Sequence, residues 1–580
     1  MLFHESDLLH RLRVTRGARR GKAIPCAPNT RTELLDEITS YLLSPAPDDA
    51  TTSAEDRIYW LIGSPGVGKS TIARSLVNKL GDRAVASFFC SSPSRDTSDT
   101  KKIIPTLVAQ LAQRPNWQRF REALTKILSV QGDSSNLIGR RASLGTQLQK
   151  LFVEPFGTTA MLKPAVIVID GLDECVDIDE AAKFIVYLGR CLGKLPANLK
   201  FFISSRNDPR LRRGMDLADA LGTTGKDESG LPTQVVKRVD LDAARYDDFT
   251  RRDIGTYLRS GFAKYKGLTS PSSSTKTEVA YRDTFAFPRE DELRRFVTKC
   301  VGLPFIVASI IFKHITSKDA TDPRERMRRF FNLRLTEVPF GGNADAKIRR
   351  LNDVYAHIIT VTLDEVRRES KSKETPELYE GVRMVVGCSV VTQCPLSINT
   401  LSDLLGFEAS NVRAALERFR AVIPMPRDDN EELSVLHDTW RTFIAVASQK
   451  QLPTGSVMPT LDLRAYLAKM TVRTLTYLVE RLHRAYVDHG QARLGKEIAD
   501  TMNKPLGYSC SYWIPHLQQF QAAMEDEISA SPHTHDILEA LETFALDNRG
   551  LLRIWHRAVL AGGAEKTAIL GFLQVGAVAT

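Results

Sequence analysis

Gly63-Ser64-Pro65-Gly66-Val67-Gly68-Lys69-Ser70, followed by Thr71, brings small flexible residues, a lysine and two hydroxyls into one short stretch. The spacing is G-x-x-x-x-G-K-[ST]. In that pattern glycine backbone lets N–H groups converge on phosphate oxygens, and a following helix adds its partial positive charge. Lys69 is the group to reach β- and γ-phosphates, and the Ser70 hydroxyl is the group to hold Mg²⁺. A second cluster, Asp170-Gly171-Leu172-Asp173-Glu174, supplies carboxylates. Asp170 suits orientation of a magnesium ion and its water. Asp173 and Glu174 are both suited to polarising an attacking water. Arg206, after Ser204-Ser205, is a cation that can contact a γ-phosphate and so report which nucleotide is bound.

These groups meet only if strands and helices place them at one sheet edge. Ile58–Ile62 is a short apolar run ahead of the glycines, and Ile72, Leu76 and Leu80, with Ala73 and Val77, recur at helical spacing behind them. Ala165–Ile169 is a continuous β-branched run, the pattern of a strand buried on both faces, and it ends in Asp170. Val85–Cys90, Lys200–Ser205 and Val235–Leu241 read as further strands. Together they predict an α/β P-loop NTPase core, a parallel five-stranded sheet in three layers. In such sheets ligands sit at the carboxyl ends of the strands. Neither Asn-Lys-x-Asp nor Thr-Lys-x-Asp, the guanine signals, occurs. Adenine is the favoured base, and ATP or ADP with Mg²⁺ the expected ligand.

The chain has 580 residues, too many for one core, with 43% hydrophobic and 26% charged residues. Net charge is +10 and pI about 9.1. Part of the excess lies in Arg11–Lys22, six basic residues without an acid, within a leader over 1–25 expected to be mobile. No apolar run is long enough to span a membrane, and no secretory signal is visible near Met1. The eight cysteines form no C-x-x-C pair, and buried reduced thiols are expected. A cytoplasmic location follows from that reading.

Gly63–Thr71 together with Asp170–Glu174 resembles the NACHT family of STAND ATPases, the nucleotide-binding core of NLR-type receptors, in particular its large fungal branch. Ser204-Ser205-Arg206 resembles the family's sensor strand. Cys26–Leu35, with Thr30-Arg31, resembles the helix just before fungal NACHT modules, and Ile103–Leu111 the helix after the second strand. Thr30 with Glu33 also reads as a capping box for a helix whose apolar face is Leu34, Leu35, Ile38, Tyr41 and Leu42.

The resemblance implies helical and winged-helix domains after the core, and the sequence carries matching patterns. Asp248–Phe262 and Glu290–Lys299 are amphipathic, with the low-complexity stretch Ser270–Thr277 between them. Gly302-Leu303-Pro304 opens an apolar helix, and the family implies that Pro304 packs against adenine. Ser397–Leu405 and Ser410–Phe419 read as two helices joined through Gly406. Ala421–Met425 and Leu433–Leu436 are predicted as a hairpin around Arg427–Glu432. The family implies that His437 contacts the β-phosphate of ADP. Tyr508–Trp513 with His516 reads as core packing. The expected organisation is a leader over 1–25, a flanking helix and linker over 26–55, and the nucleotide-binding domain over 56–241. A helical domain over 242–340, a winged helix over 341–450 and a helical C-terminal domain over 451–580 follow. No self-similar repeat is visible at the C-terminus.

The function implied is a nucleotide-controlled switch with slow ATPase activity. ADP would keep it closed, and ATP would open it to homo-oligomerise under an unidentified trigger and effector. The rival is an AAA-type ATPase linked to nucleic acid. Ser410–Phe419, its recognition-helix candidate, carries Arg413 and Arg418 but also Glu417 and no aromatic-basic interleaving, so nucleic acid is not the expected partner.

Overall fold

The computed structural model describes residues 24–45, 57–91, 97–129, 142–157, 163–222, 234–265, 287–300, 303–317, 322–335, 344–433, 438–501, 504–524 and 532–561, apart from 448–461, with isolated positions at 12, 15, 18, 19, 137 and 161. The chain divides into two compact units. One holds 1–308 and 337–349, the other 309–336 and 350–580.

In the first unit, helix α1 (Thr32–Leu43) precedes β1 (Ile58–Ile62), and α2 (Lys69–Leu80) leads to β2 (Ala84–Phe89) and α3 (Ile103–Ala112). Then come β3 (Ala165–Asp170), α4 (Ile178–Cys191), β4 (Leu199–Ser205), α5 (Pro209–Gly222) and β5 (Val236–Asp240). The strands form one five-stranded sheet in the order β2-β3-β4-β1-β5, and all pairs are parallel. The strand bearing Asp170 is thus separated from the strand before the glycine loop by β4 alone.

Successive strand residues feed opposite faces. Trp60, Ile167, Ile169 and Ile203 join one apolar cluster with α3, α4 and α5. Tyr59, Leu61, Val166, Val168 and Phe202 join the other with α1 and α2. This is the expected three-layer sheet. β1, β3 and β4 are buried along their whole length, whereas β5, at the edge, is exposed on part of one face. The opposite edge is covered by residues assigned from sequence to a mobile leader. Leu12 and Ala18 are buried in the first cluster, Ala18 O accepts from Phe89 N–H at 2.8 Å, and Arg19 O accepts from Ser87 Oγ at 2.7 Å. These described positions pack against the edge strand.

Helix α1 buries Leu34, Leu35, Ile38 and Leu42 as expected, but the Thr30 capping box does not form. Thr30 Oγ1 donates to Ala27 O at 2.7 Å instead, and Arg31 occupies the cap position with φ 57°. Arg31 is drawn away from helical geometry by its own partners, described below.

Past β5 the chain is helical: α6 (Asp247–Lys264), α7 (Glu290–Lys299), α8 (Phe305–Ile315) and α9 (Ala344–Ser372). In the second unit α10 (Ile398–Leu405) and α11 (Ala409–Glu417) meet at Gly406, whose φ of 72° suits a glycine C-cap. The predicted strand Ala421–Met425 is instead a buried turn, in which Val422 and Ile423 N–H groups both donate to Phe419 O. A short apolar run fills a core equally well as a turn, and periodicity cannot separate the two. Of the other predicted strand, Leu433 alone is described. The pairing present joins Ser397 to Glu432 in an antiparallel bridge, and Leu433 N–H donates to Leu396 O at 2.8 Å. Helices α12 (Leu463–Asp500) and α13 (Pro505–Met524) follow. Tyr508, Trp513 and His516 on α13 are core, as expected.

All eight cysteines are free, and six are buried. Among the described residues no helix is long and apolar enough to cross a membrane. Ser270–Thr277, Gly302 and His437 lie outside the described residues.

Candidate functional site

Every described member of the glycine loop lies at the carboxyl end of β1. Gly66 and Gly68 have φ of 81° and 103°, conformations that glycine adopts without strain. At Gly66 the absence of a side chain also matters sterically, because a Cβ there would lie 2.3 Å from Ile306 Cγ2. Lys69 opens α2 and folds back over the loop, its Nζ donating to Gly63 O at 2.7 Å and Ser64 O at 3.2 Å. Pro65 and Val67 are buried beneath the loop, and Thr71 sits in the first turn of α2, where its carbonyl accepts from Ser75 Oγ.

Asp170 ends β3 and is almost fully buried. It accepts a hydrogen bond from Ser204 Oγ, and the Ser70 hydroxyl is near enough to act on its charge. Burial raises the Asp170 pKa, while the Ser204 and Ser70 hydroxyls and the charge of Lys69 oppose that rise. Ser204 also accepts from Gly171 N–H at 3.1 Å, which fixes the turn into the acidic cluster. Burial pulls the Lys69 ammonium below its usual pKa. Asp173 opposes this, Arg206 reinforces it, and Asp170 and Asp242 oppose it. Five charged groups predicted or found at this edge therefore act on one another through a single site.

Asp173 and Glu174, equivalent in sequence, differ in surroundings. Asp173 is held by Arg206 at two points, with Oδ1 accepting from the Arg206 backbone N–H at 2.9 Å and Oδ2 lying 3.0 Å from Nε. Glu174 is partly exposed and lies against Gly171 at the ends of β2 and β3. Behind them Cys90 and Cys175 sit with sulfurs 3.8 Å apart.

The family model described as Nephrocystin 3, N-terminal, matches residues 44–206, a span that contains the glycine loop, the acidic cluster and the strand ending at Arg206. The match thus falls on the segment whose motifs resemble the NACHT family. No curated protein matches the chain. Among solved structures, a STAND protein with a tetratricopeptide repeat sensor from Pyrococcus horikoshii is similar at 13% identity and TM-score 0.32, over 94% of this chain and 66% of that one. The chain thus spans just under two thirds of that protein's length. The Drosophila ORC bound to DNA is similar at 14% identity and TM-score 0.28, over 68% of this chain and 81% of that one. Cdc6p from Pyrobaculum aerophilum is similar at 13% identity and TM-score 0.25, over 73% and 94%.

Beside the loop lies a narrow cleft lined by Arg31, Val67, Leu241, Thr250, Pro304 and Phe305, among others. Pro304 thus stands next to the glycine loop, and Ile306 N–H donates to Gly66 O at 3.0 Å. Arg31 is buried in the same wall. It donates to Val67 O at 3.2 Å and Thr250 Oγ1 at 3.0 Å, lies 3.6 Å from Asp253, and stacks over Phe305. These contacts explain its departure from helical geometry.

Asp242 was missed as a site residue in the sequence. Leu241 N–H continues the ladder to Ile62 O, which carries Asp242 to the glycine loop. Its Oδ2 accepts from Ser64 N–H at 2.6 Å and its Oδ1 from Ser64 Oγ at 2.7 Å. Lys347 Nζ lies 2.7 Å from Oδ1. An acid just past the last predicted strand follows the same logic as Asp170, so a signal existed. Lys347, more than a hundred residues later, left none.

Proposed function

We propose that the chain is an ATP/ADP-binding switch of the STAND type, with slow ATP hydrolysis. It signals in the manner of NLR-like proteins through nucleotide-dependent opening and self-association. The observation that carries this reading is the convergence of Lys69, Ser70 and Asp170 at one end of the sheet. Lys69 is the cation for β- and γ-phosphates, and the resemblance assigns Pro304, which stands beside the loop, to the adenine. The Ser70 hydroxyl and Asp170 carboxylate are hard oxygen donors suited to Mg²⁺, which takes one or two protein ligands and fills its shell with phosphate and water. When bound, the ion neutralises phosphate charge at the loop. Glu174 serves as general base and Arg206 answers to the γ-phosphate. The resemblance assigns His437 to ADP retention.

The residue assignments go with a domain order of 26–55 flank, 56–241 nucleotide-binding, 242–340 helical, 341–450 winged-helix and 451–580 helical. The rival, an AAA-type ATPase acting on nucleic acid, needs free cations on α11. Arg413 is paired with Asp429 and Glu417, and Arg418 with Glu369, which weakens it.

The test is the identity of the nucleotide that copurifies with the full chain, measured with particle mass in ADP and in a non-hydrolysable ATP analogue. Bound ADP, a monomer in ADP and a larger particle in the analogue are expected. A chain without nucleotide, or of one mass in both, overturns the switch. Turnover raised severalfold by DNA, with steep salt dependence, would transfer support to the rival.

A further inference from the structure

The turn after β5 places a carboxylate where phosphates are to be gripped. Asp242 holds Ser64 through both its backbone N–H and its hydroxyl, and Ser64 O in turn accepts from the Lys69 ammonium. Two hydrogen-bond steps therefore separate the Asp242 charge from the cation assigned to the terminal phosphates. A bare carboxylate so close would repel a γ-phosphate more than it repels a diphosphate, which ends further away. Lys347 removes that charge. Its Nζ lies 2.7 Å from Asp242 Oδ1, and both side chains are mostly buried, at 17% and 22% exposure, where solvent screens the pair weakly.

The two partners come from different parts of the chain. Asp242 is fixed to the sheet, since its N–H donates to Asp240 Oδ1 at 2.9 Å in the turn after β5. Lys347 sits in the first turn of α9, the helix that begins in the nucleotide-binding unit and continues into the second. Burial works against the Asp242 carboxylate, yet the bonds from Lys347 and Ser64 more than offset it and hold its pKa below the ordinary value.

We propose that Asp242 is a positioning residue for the glycine loop and that Lys347, by neutralising it, selects triphosphate over diphosphate. The proposal rests on the nucleotide-binding reading above and adds to it a link between nucleotide choice and α9. By linkage, a triphosphate that binds better with Lys347 docked must hold Lys347 docked better in return. The start of α9 is then a reporter of the γ-phosphate, acting through Asp242 and Ser64 and without touching the nucleotide.

The test is competition binding of Mg²⁺-ADP and a Mg²⁺-bound non-hydrolysable ATP analogue to the full chain. Lys347→Met keeps the apolar stem and the helix and removes the charge. It should weaken the analogue by at least about five-fold, the lower end of ordinary coupling between sites, and ADP by less than about two-fold. Lys347→Arg should restore the preference. In an Asp242→Asn background, Lys347→Met should leave the ratio of analogue to ADP affinity unchanged. Equal weakening of both nucleotides, or an effect of Lys347→Met that survives Asp242→Asn, overturns the proposal. A failure of the underlying reading shows differently: Lys69→Ala would then retain both nucleotides.

Discussion

Arg206 Nε lies 3.0 Å from Asp173 Oδ2 while the Arg206 N–H donates to Asp173 Oδ1, so the residue ending β4 holds the acid that follows β3. A carboxylate tied at both oxygens is poorly placed to take a proton from water. Glu174 beside it is partly exposed to water. Glu174→Gln should leave nucleotide binding intact and lower turnover by about 10²-fold or more, as loss of a general base does. Asp173→Asn should instead disturb the preference of the site for ATP over ADP, because it releases Arg206. Steady-state turnover and binding of both nucleotides separate the two. Unchanged turnover in Glu174→Gln together with its loss in Asp173→Asn would reverse the assignment.

Lys69→Ala removes the cation that balances Asp170, Asp173 and Asp242. Charge-assisted hydrogen bonds contribute about 1.5–3 kcal/mol each, so nucleotide affinity should fall at least tenfold. Nucleotide released by denaturing the purified chain measures this directly. A bound content equal to that of the parent would refute the phosphate site.

Two glycines of the loop separate conformational from steric demand. Gly68, φ 103°, has open space where an alanine methyl would point, whereas at Gly66, φ 81°, the methyl would meet Ile306 Cγ2 at 2.3 Å. Gly68→Ala should therefore cost about 1–2 kcal/mol for its backbone alone. Gly66→Ala adds overpacking and should cost about 2–5 kcal/mol. Thermal unfolding of both variants compares them, and equal losses would mean that the Ile306 contact yields easily.

The sheet, its strand ends and the residues on them were legible because each strand is a short apolar run closed by polar residues, and β1, β3 and β4 are buried from end to end. The nearness of Ser70 to Asp170 follows from that grammar. Thr30 misled because its hydroxyl found a nearer carbonyl at Ala27, and Ala421–Met425 because a buried turn and a buried strand share a composition. Arg31 stood out in the sequence only through its resemblance, although its contacts with Val67, Thr250 and Asp253 tie the flank to the loop. Lys347 could not be found at all. Its importance comes from a single approach to Asp242, which no local pattern encodes.

His516 supplies a pH dependence whose sign is fixed. It is fully buried on α13, its Nε2 lies 2.8 Å from Tyr508 Oη, and the Tyr508 oxygen accepts from Gln393 N–H at 3.0 Å. Burial lowers the His516 pKa from the usual 6.5 to about 3. The unfolded chain takes up a proton below pH 6.5 and the folded chain does not, so stability is fully present above pH 6.5 and falls as pH drops from 6.5 toward 3. The loss is about 1.4 kcal/mol per pH unit for this one group. His516→Gln keeps an acceptor for Tyr508 and removes the titration. Urea unfolding followed by tryptophan fluorescence between pH 7 and pH 5 should show a shallower pH slope in the variant than in the parent. Identical slopes would mean that the folded protein accommodates the imidazolium after all.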